Sequence, residues 1–161
     1  MKREFEGKIA VVTGGSRGIG AAVVTSLLDK GSTVHYLSRS RTSDHDTLKD
    51  HAVSIGGELY WHQSDVSDEF SVTAAIEGIL AGGPIDILVN NAGITRDGLV
   101  MRMKREDWDA VLLTNLTSTF IVSKRVAREM IRSRSGVIIN VSSVSGLRGN
   151  AGQTNYAASK A

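Results

Sequence analysis

The sequence contains no cysteine, which excludes a disulfide framework and any thiolate metal site. It has no uninterrupted apolar stretch long enough to span a bilayer. Its opening residues, MKREFEGK, lack the apolar core of a signal peptide. The expectation is a cytoplasmic protein without a membrane partner. Neither charge sign is in excess: nineteen Lys and Arg oppose seventeen Asp and Glu, a formal net charge of +2, which gives no argument for nucleic acid. Internal repeats, low-complexity tracts and linkers are missing as well. What remains is 161 residues, 41% of them hydrophobic, which fits one domain over residues 1–161 with a sizeable core.

The chain is organised around Ile9 to Gly20, IAVVTGGSRGIG. Ile9 to Val12 have the β-branched apolar character of a buried strand. Thr13 and Gly14 break the run. Gly14 permits a tight turn, and Gly18 and Gly20 let a new helix pack close to the strand and a ligand approach the backbone. The unpaired N–H groups and positive dipole end of that helix suit a pyrophosphate. The spacing is T-G-x-x-x-G-x-G, not G-x-G-x-x-G; a close helix–strand contact without a ligand would use the same glycines.

A helix is predicted from Gly18 to Lys30, capped at Gly31, then a strand from Thr33 to Leu37. The place where an NAD-binding fold carries an acidic residue reads Leu37-Ser38-Arg39-Ser40-Arg41. With no carboxylate there, Arg39 is placed to pair with a ribose 2′-phosphate, and Arg17 within reach of the same group, which points to NADP(H) over NAD(H). As plain loop charges, Arg39 and Arg41 would simply be solvated. A helix from Ser43 to Ile55 and a strand from Glu58 to Gln63 follow. Asp65, followed by Val66 at its tip, is placed to face an adenine or to cap the next helix. That helix runs from Glu69 to Leu80 and stops at Gly82-Gly83-Pro84. A fourth strand, Ile85 to Val89, leads into Asn90-Asn91-Ala92-Gly93. One long helical tract is predicted from Arg105 to Arg132, ended by Gly136, with Asn115, a poor helix former, in its middle. A fifth strand, Val137 to Val141, has Ser142-Ser143 at its tip, and a last helix begins at Gln153. Five strands alternating with helices indicate an α/β protein with a doubly wound parallel sheet.

With the glycine turn, NNAG, a mid-helix Asn, a strand-tip Ser and Tyr156-x-x-x-Lys160 in this order, the sequence resembles the short-chain dehydrogenase/reductase family. The tracts NNAGITRDGLVMRMK and GNAGQTNYAASKA are similar to its 3-oxoacyl-[acyl-carrier-protein] reductases. The resemblance implies a Rossmann-like three-layer αβα fold. It places catalytic residues at Asn115, Ser143, Tyr156 and Lys160. It places NADPH/NADP contacts at Gly14, Gly15, Ser16, Arg17, Gly18, Ile19, Gly20, Arg39, Asp65, Val66, Asn91, Ala92 and Gly93, with Tyr156 and Lys160 at the nicotinamide ribose. The implied activity is reduction of 3-oxoacyl-[acyl-carrier-protein] to the (3R)-3-hydroxyacyl form in fatty-acid synthesis. Alternatives are an acetoacetyl-coenzyme A or general carbonyl reductase of the same family, or a non-catalytic nucleotide-binding module. Members are homotetramers and continue past the YxxxK helix, so a C-terminal part is expected beyond the chain given.

The chemistry is consistent with that pattern. A free phenol titrates near 10, too high for proton transfer at neutrality. Lys160, one helical turn from Tyr156 on the same face, would stabilise the phenolate. Ser143 would hydrogen-bond the carbonyl oxygen where charge develops, and Asn115 would kink its helix and hold a water relaying protons to Lys160. A basic run, Lys124, Arg125, Arg128, Arg132 and Arg134, ends the long helix. Its plain reading is a solvated face; the resemblance makes Arg134, with Arg128 or Arg132, a docking point for an acidic acyl carrier protein.

Overall fold

A computed structural model describes residues 3–42 and 44–161. The glycine turn follows strand β1 (Ile9–Thr13), whose last four residues are buried. β1 lies at the centre of a five-stranded sheet ordered β3-β2-β1-β4-β5, with β2 at Thr33–Ser38, β3 at Leu59–Gln63, β4 at Ile87–Asn90 and β5 at Val137–Asn140. All four pairings are parallel, and Ala10 stands opposite both Val34 and Ile87. Parallel neighbours need crossovers. These are α1 (Gly18–Asp29), α2 (Asp44–Ser54), α3 (Glu69–Leu80) and the long tract between β4 and β5. The predicted start of α2 at Ser43 lies outside the described residues.

The two-residue period of the strands sorts their side chains into two cores. Ala10, Val12, Val34, Tyr36, Ile87 and Val89 pack with Val24, Leu27 and Leu28 of α1 and Leu48 and Ala52 of α2. Val11, Leu37 and Leu88 pack on the other face with Val72, Ile76 and Ile79 of α3 and with Ile121, Val122, Val126 and Met130 of the long tract. The result is the predicted doubly wound, three-layer fold. Its strand order reverses beside β1, so a crevice opens at the carboxyl ends of β1 and β4.

The predicted continuous helix from Arg105 to Arg132 is interrupted. It consists of α4 (Arg105–Leu112), a π-helical segment at Leu113–Thr117 and α5 (Ser118–Ser133). Asn115, in the widened turn, points inward and is 3% exposed; such bulges are frequent at functional sites. Gly136 is not the terminator either. Arg134 takes the left-handed cap conformation, φ 52°, and returns its N–H to Ile131 and Met130. Beyond the prediction are a 3₁₀ turn at Val100–Arg102 and a short helix, α6 (Val144–Arg148), before α7 (Thr154–Lys160). Among the described residues, no helix is long and apolar enough to cross a membrane.

Candidate active site

The tips of β1, β2, β3 and β4 surround a cavity of about 480 Å³, a size ordinary for a ligand site. Gly14, Ser16, Arg17, Gly18, Ile19, Gly20, Arg39, Asp65, Val66, Asn91, Ala92 and Gly93, all predicted from sequence, line it. Gly15 is not among the lining residues: a Cβ there would meet Tyr36 Cβ at 2.6 Å, so the residue is pressed against β2. Leu37, Ser38, Ser40, Thr42, Ser64, Ser67, Ile94 and Thr114 complete the lining, unforeseen from the sequence.

Two glycines in the turn have different reasons. Gly20 is needed for close approach, since a Cβ would lie 2.1 Å from the Gly14 carbonyl oxygen and 2.6 Å from Asn91 Nδ2. Gly18 has open space around it, but its φ of 55° disfavours any side chain. The helix N-terminus at Gly18 therefore has bare backbone toward the cavity, and Arg17, its N-cap, offers no side-chain cap that would occupy the first N–H groups. That cradle fits a dinucleotide pyrophosphate.

Thr13, which the sequence marks only as a break, holds the two halves of the crevice together. Its hydroxyl accepts the backbone N–H groups of Asn91 (3.0 Å) and Ala92 (3.1 Å). Asn91 Nδ2 donates in return to the carbonyls of Thr13 and Gly14, each at 3.1 Å. Nothing in a one-residue pattern reveals this; it depends on β1 and β4 being neighbours.

On the β2–β3 side, Arg39 is exposed along the cavity. Asp65 does not cap α3; Asp68 does, accepting from Phe70 N. Asp65 instead accepts from Ser67 N (2.9 Å) and Ser67 Oγ (2.7 Å). Burial opposes its ionisation, but these bonds and the Arg39 charge outweigh burial and hold the carboxyl below its ordinary range.

At the other end of the cavity, Asn115 joins three segments. Its Oδ1 accepts from Ile94 N (2.8 Å), and its Nδ2 donates to Ile94 O (3.0 Å) and to Ser159 Oγ (2.9 Å). Ser159 Oγ in turn donates to Tyr156 O (2.8 Å), tying Asn115 to α7. Lys160, 8% exposed, donates from Nζ to Val141 O at 2.8 Å, and Ser142 Oγ donates to Lys160 O at 2.6 Å. Burial pushes the Lys160 ammonium below its usual pKa. A Cβ on Gly93 would stand 3.3 Å from Asn115 Oδ1 and 3.6 Å from Lys160 Nζ, so both groups converge on the cavity rim. Tyr156, half-buried, stands one turn earlier on α7. Ser143 begins α6 two residues past Val141, its Oγ accepting from Ser145 N at 3.2 Å. Buried Asn155 was missed in the sequence: it donates to Arg96 O and Asp107 O and anchors α7.

The basic end of α5 is partly paired. Arg125 meets Glu77 at 3.4 Å and Arg132 meets Glu129 at 3.1 Å, while Arg128 and Arg134 are exposed.

The sequence has recognisable relatives. The family model described as short chain dehydrogenase covers residues 8–161. The chain is 48% identical over 158 residues to the 3-oxoacyl-[acyl-carrier-protein] reductase FabG of Escherichia coli and to that of Salmonella typhimurium, in each case over 98% of this chain and 63% of the relative. It is 45% identical over 155 residues to the protein of the same name from Chlamydia muridarum, over 96% of this chain and 62% of the relative. The chain thus spans a little under two thirds of the length of the curated relatives it matches. With the glycine turn, the NNAG strand tip and the Tyr156–Lys160 helix brought to one crevice, it belongs to the short-chain dehydrogenase family.

Proposed function

We propose that the protein reduces 3-oxoacyl-[acyl-carrier-protein] to (3R)-3-hydroxyacyl-[acyl-carrier-protein] with NADPH, in fatty-acid synthesis. The observation that carries this reading is the convergence of Lys160 and Asn115 on Gly93, at the rim of a cavity bordered by two arginines and a bare helix N-terminus. The names of the relatives supply the substrate class.

Gly14, Ser16 and Gly18 to Gly20 would hold the pyrophosphate, Arg39 and Arg17 the ribose 2′-phosphate, and Asp65 and Val66 the adenine. Held by these residues, NADPH would supply the hydride that reduces the carbonyl carbon. As the C=O π pair moves to oxygen, Ser143 Oγ donates a hydrogen bond to it and Tyr156 hands over its phenolic proton. Lys160 restores that proton. Its lowered pKa means that the ammonium releases its proton more readily than an exposed lysine. Asn115 Oδ1 keeps a lone pair beyond its Ile94 bond, and the missing Gly93 side chain leaves room for a water linking it to Lys160.

Arg134, exposed at the end of α5, with Arg128 or Arg132, would dock the acidic carrier. Leu113, Leu116 and Phe120 form an exposed apolar stripe, 41–63% accessible, that suits a second copy in a homotetramer. The enzyme would act in the cytoplasm. The test of cofactor choice is the NADPH/NADH ratio of kcat/KM in the full-length protein. Arg39→Ala should lower that ratio about tenfold or more by raising the KM for NADPH; an unchanged ratio rejects NADPH selection by Arg39.

A further inference from the structure

Arg39 and Arg41 are two residues apart on a turn with no helix or strand over residues 39–42, yet only Arg39 lines the cavity. Arg41 instead lies against Trp61, which stands opposite Tyr36 in the sheet. Trp61 Nε1 donates to Ser38 Oγ at 2.8 Å, and the same hydroxyl donates to the carbonyl of Ser40 at 2.9 Å. This bridge closes the backbone on both sides of Arg39. The Arg41 guanidinium lies over the indole, 4.5 Å from its centroid, a cation–π contact. Behind the indole, His45 tilts against it at 6.2 Å and shares a 2.6 Å hydrogen bond with the buried Tyr36 hydroxyl. Thr42 fastens the far end of the turn to the glycine loop by donating to Ser16 O.

We propose that Trp61 is a positioning residue for cofactor choice: its N–H and its ring sort the two arginines, holding Arg41 against β3 and fixing Arg39 where the phosphate of an adenosine 2′-phosphate would lie. The inference rests on the NADPH reading above. A turn already ordered in its binding shape spares the ligand the cost of ordering it.

The test compares Trp61→Phe, which keeps a ring and loses the N–H, with Ser38→Ala, which removes the relay alone, in the full-length enzyme. The readouts are kcat and KM for NADPH and NADH, and the Kd of adenosine 2′,5′-bisphosphate. Loss of one hydrogen bond that orders the site is expected to raise the NADPH KM and the bisphosphate Kd about fivefold, with kcat and the NADH KM within twofold of wild type. Ser38→Ala leaves Trp61 Nε1 without its acceptor and should lower the melting temperature by about 2–12 °C while raising the NADPH constants in the same direction, which keeps the test open should Trp61→Phe fold poorly. If NADPH and NADH constants rise together, or neither rises, Trp61 is only structural and the inference falls. Arg39→Ala separates the two claims. If it weakens NADPH while the Trp61 and Ser38 variants do not, the cofactor reading stands and the positioning role fails; if it leaves NADPH unaffected, the cofactor reading itself is wrong.

Discussion

Replacing Asn115 by alanine tests whether this residue braces the site. The side chain is 3% exposed and makes three hydrogen bonds, two to the backbone of Ile94 and one to Ser159. Each is worth about 1 kcal/mol net, and the Ile94 N–H left without a partner adds a desolvation cost of about 1–3 kcal/mol. A loss of about 4–6 kcal/mol follows. For a protein of this size it should lower the melting temperature by about 8–24 °C. Asn115→Asp sharpens the test because shape is kept while both donations are lost and a carboxylate faces the Ile94 carbonyl. It should destabilise at least as much as alanine. Thermal melts of the full-length protein, with hydrogen exchange at the Ile94 amide, provide the readout. Protection at Ile94 should fall in Asn115→Ala, whereas Asn115→Asp keeps an oxygen that accepts the Ile94 N–H. Melting temperatures within about 2 °C of wild type, with Ile94 still protected, would refute the bracing role.

Further outcomes are expected elsewhere. His35 Nδ1 and His62 Nε2 lie 2.9 Å apart, with Tyr60 stacked on His35 and Glu58 bonded to Thr33 on the same face. Burial first, then the His62 charge, lowers the His35 pKa from 6.5 to about 4. The unfolded chain therefore binds more protons between those values, and stability present above pH 6.5 is lost as pH falls toward 4. Full linkage would give about 3.4 kcal/mol, reduced by solvent screening at this half-open site to about 1–2 kcal/mol. Urea midpoints at pH 7.5 and 4.5 should show that loss in wild type and less of it in His35→Gln; equal losses would reject it. Gly93→Ala would push a methyl between Asn115 Oδ1 and Lys160 Nζ. A kcat at saturating NADPH lowered about tenfold is predicted, and an unaltered saturating kcat would remove the proton relay. Arg134→Glu should raise the KM for a carrier-linked substrate several-fold more than for a small thioester; equal effects would reject docking there.

The legible parts of this chain are those set by local rules. Short β-branched and apolar runs bounded by glycine and polar breaks locate all five strands, and the missing acid after β2 points to Arg39. What the sequence hides depends on contacts between distant segments. Asn115 is visible as a poor helix former, but the π turn around it exists because Ile94, twenty-one residues earlier, offers both backbone groups to its amide. Thr13 looks like a strand end until β4 is placed beside β1. Trp61 looks like one more strand aromatic until Ser38 and Arg41 are brought against it. The cap at Arg134 departs from the glycine rule because the chain turns two residues before Gly136.

The most direct test of the account is NADPH oxidation by the full-length protein with acetoacetyl-coenzyme A, comparing wild type with Tyr156→Phe. The account predicts that removing the phenolic hydroxyl lowers kcat at least about a hundredfold while the Kd for NADPH stays within about threefold. Turnover by Tyr156→Phe at the wild-type rate would contradict it.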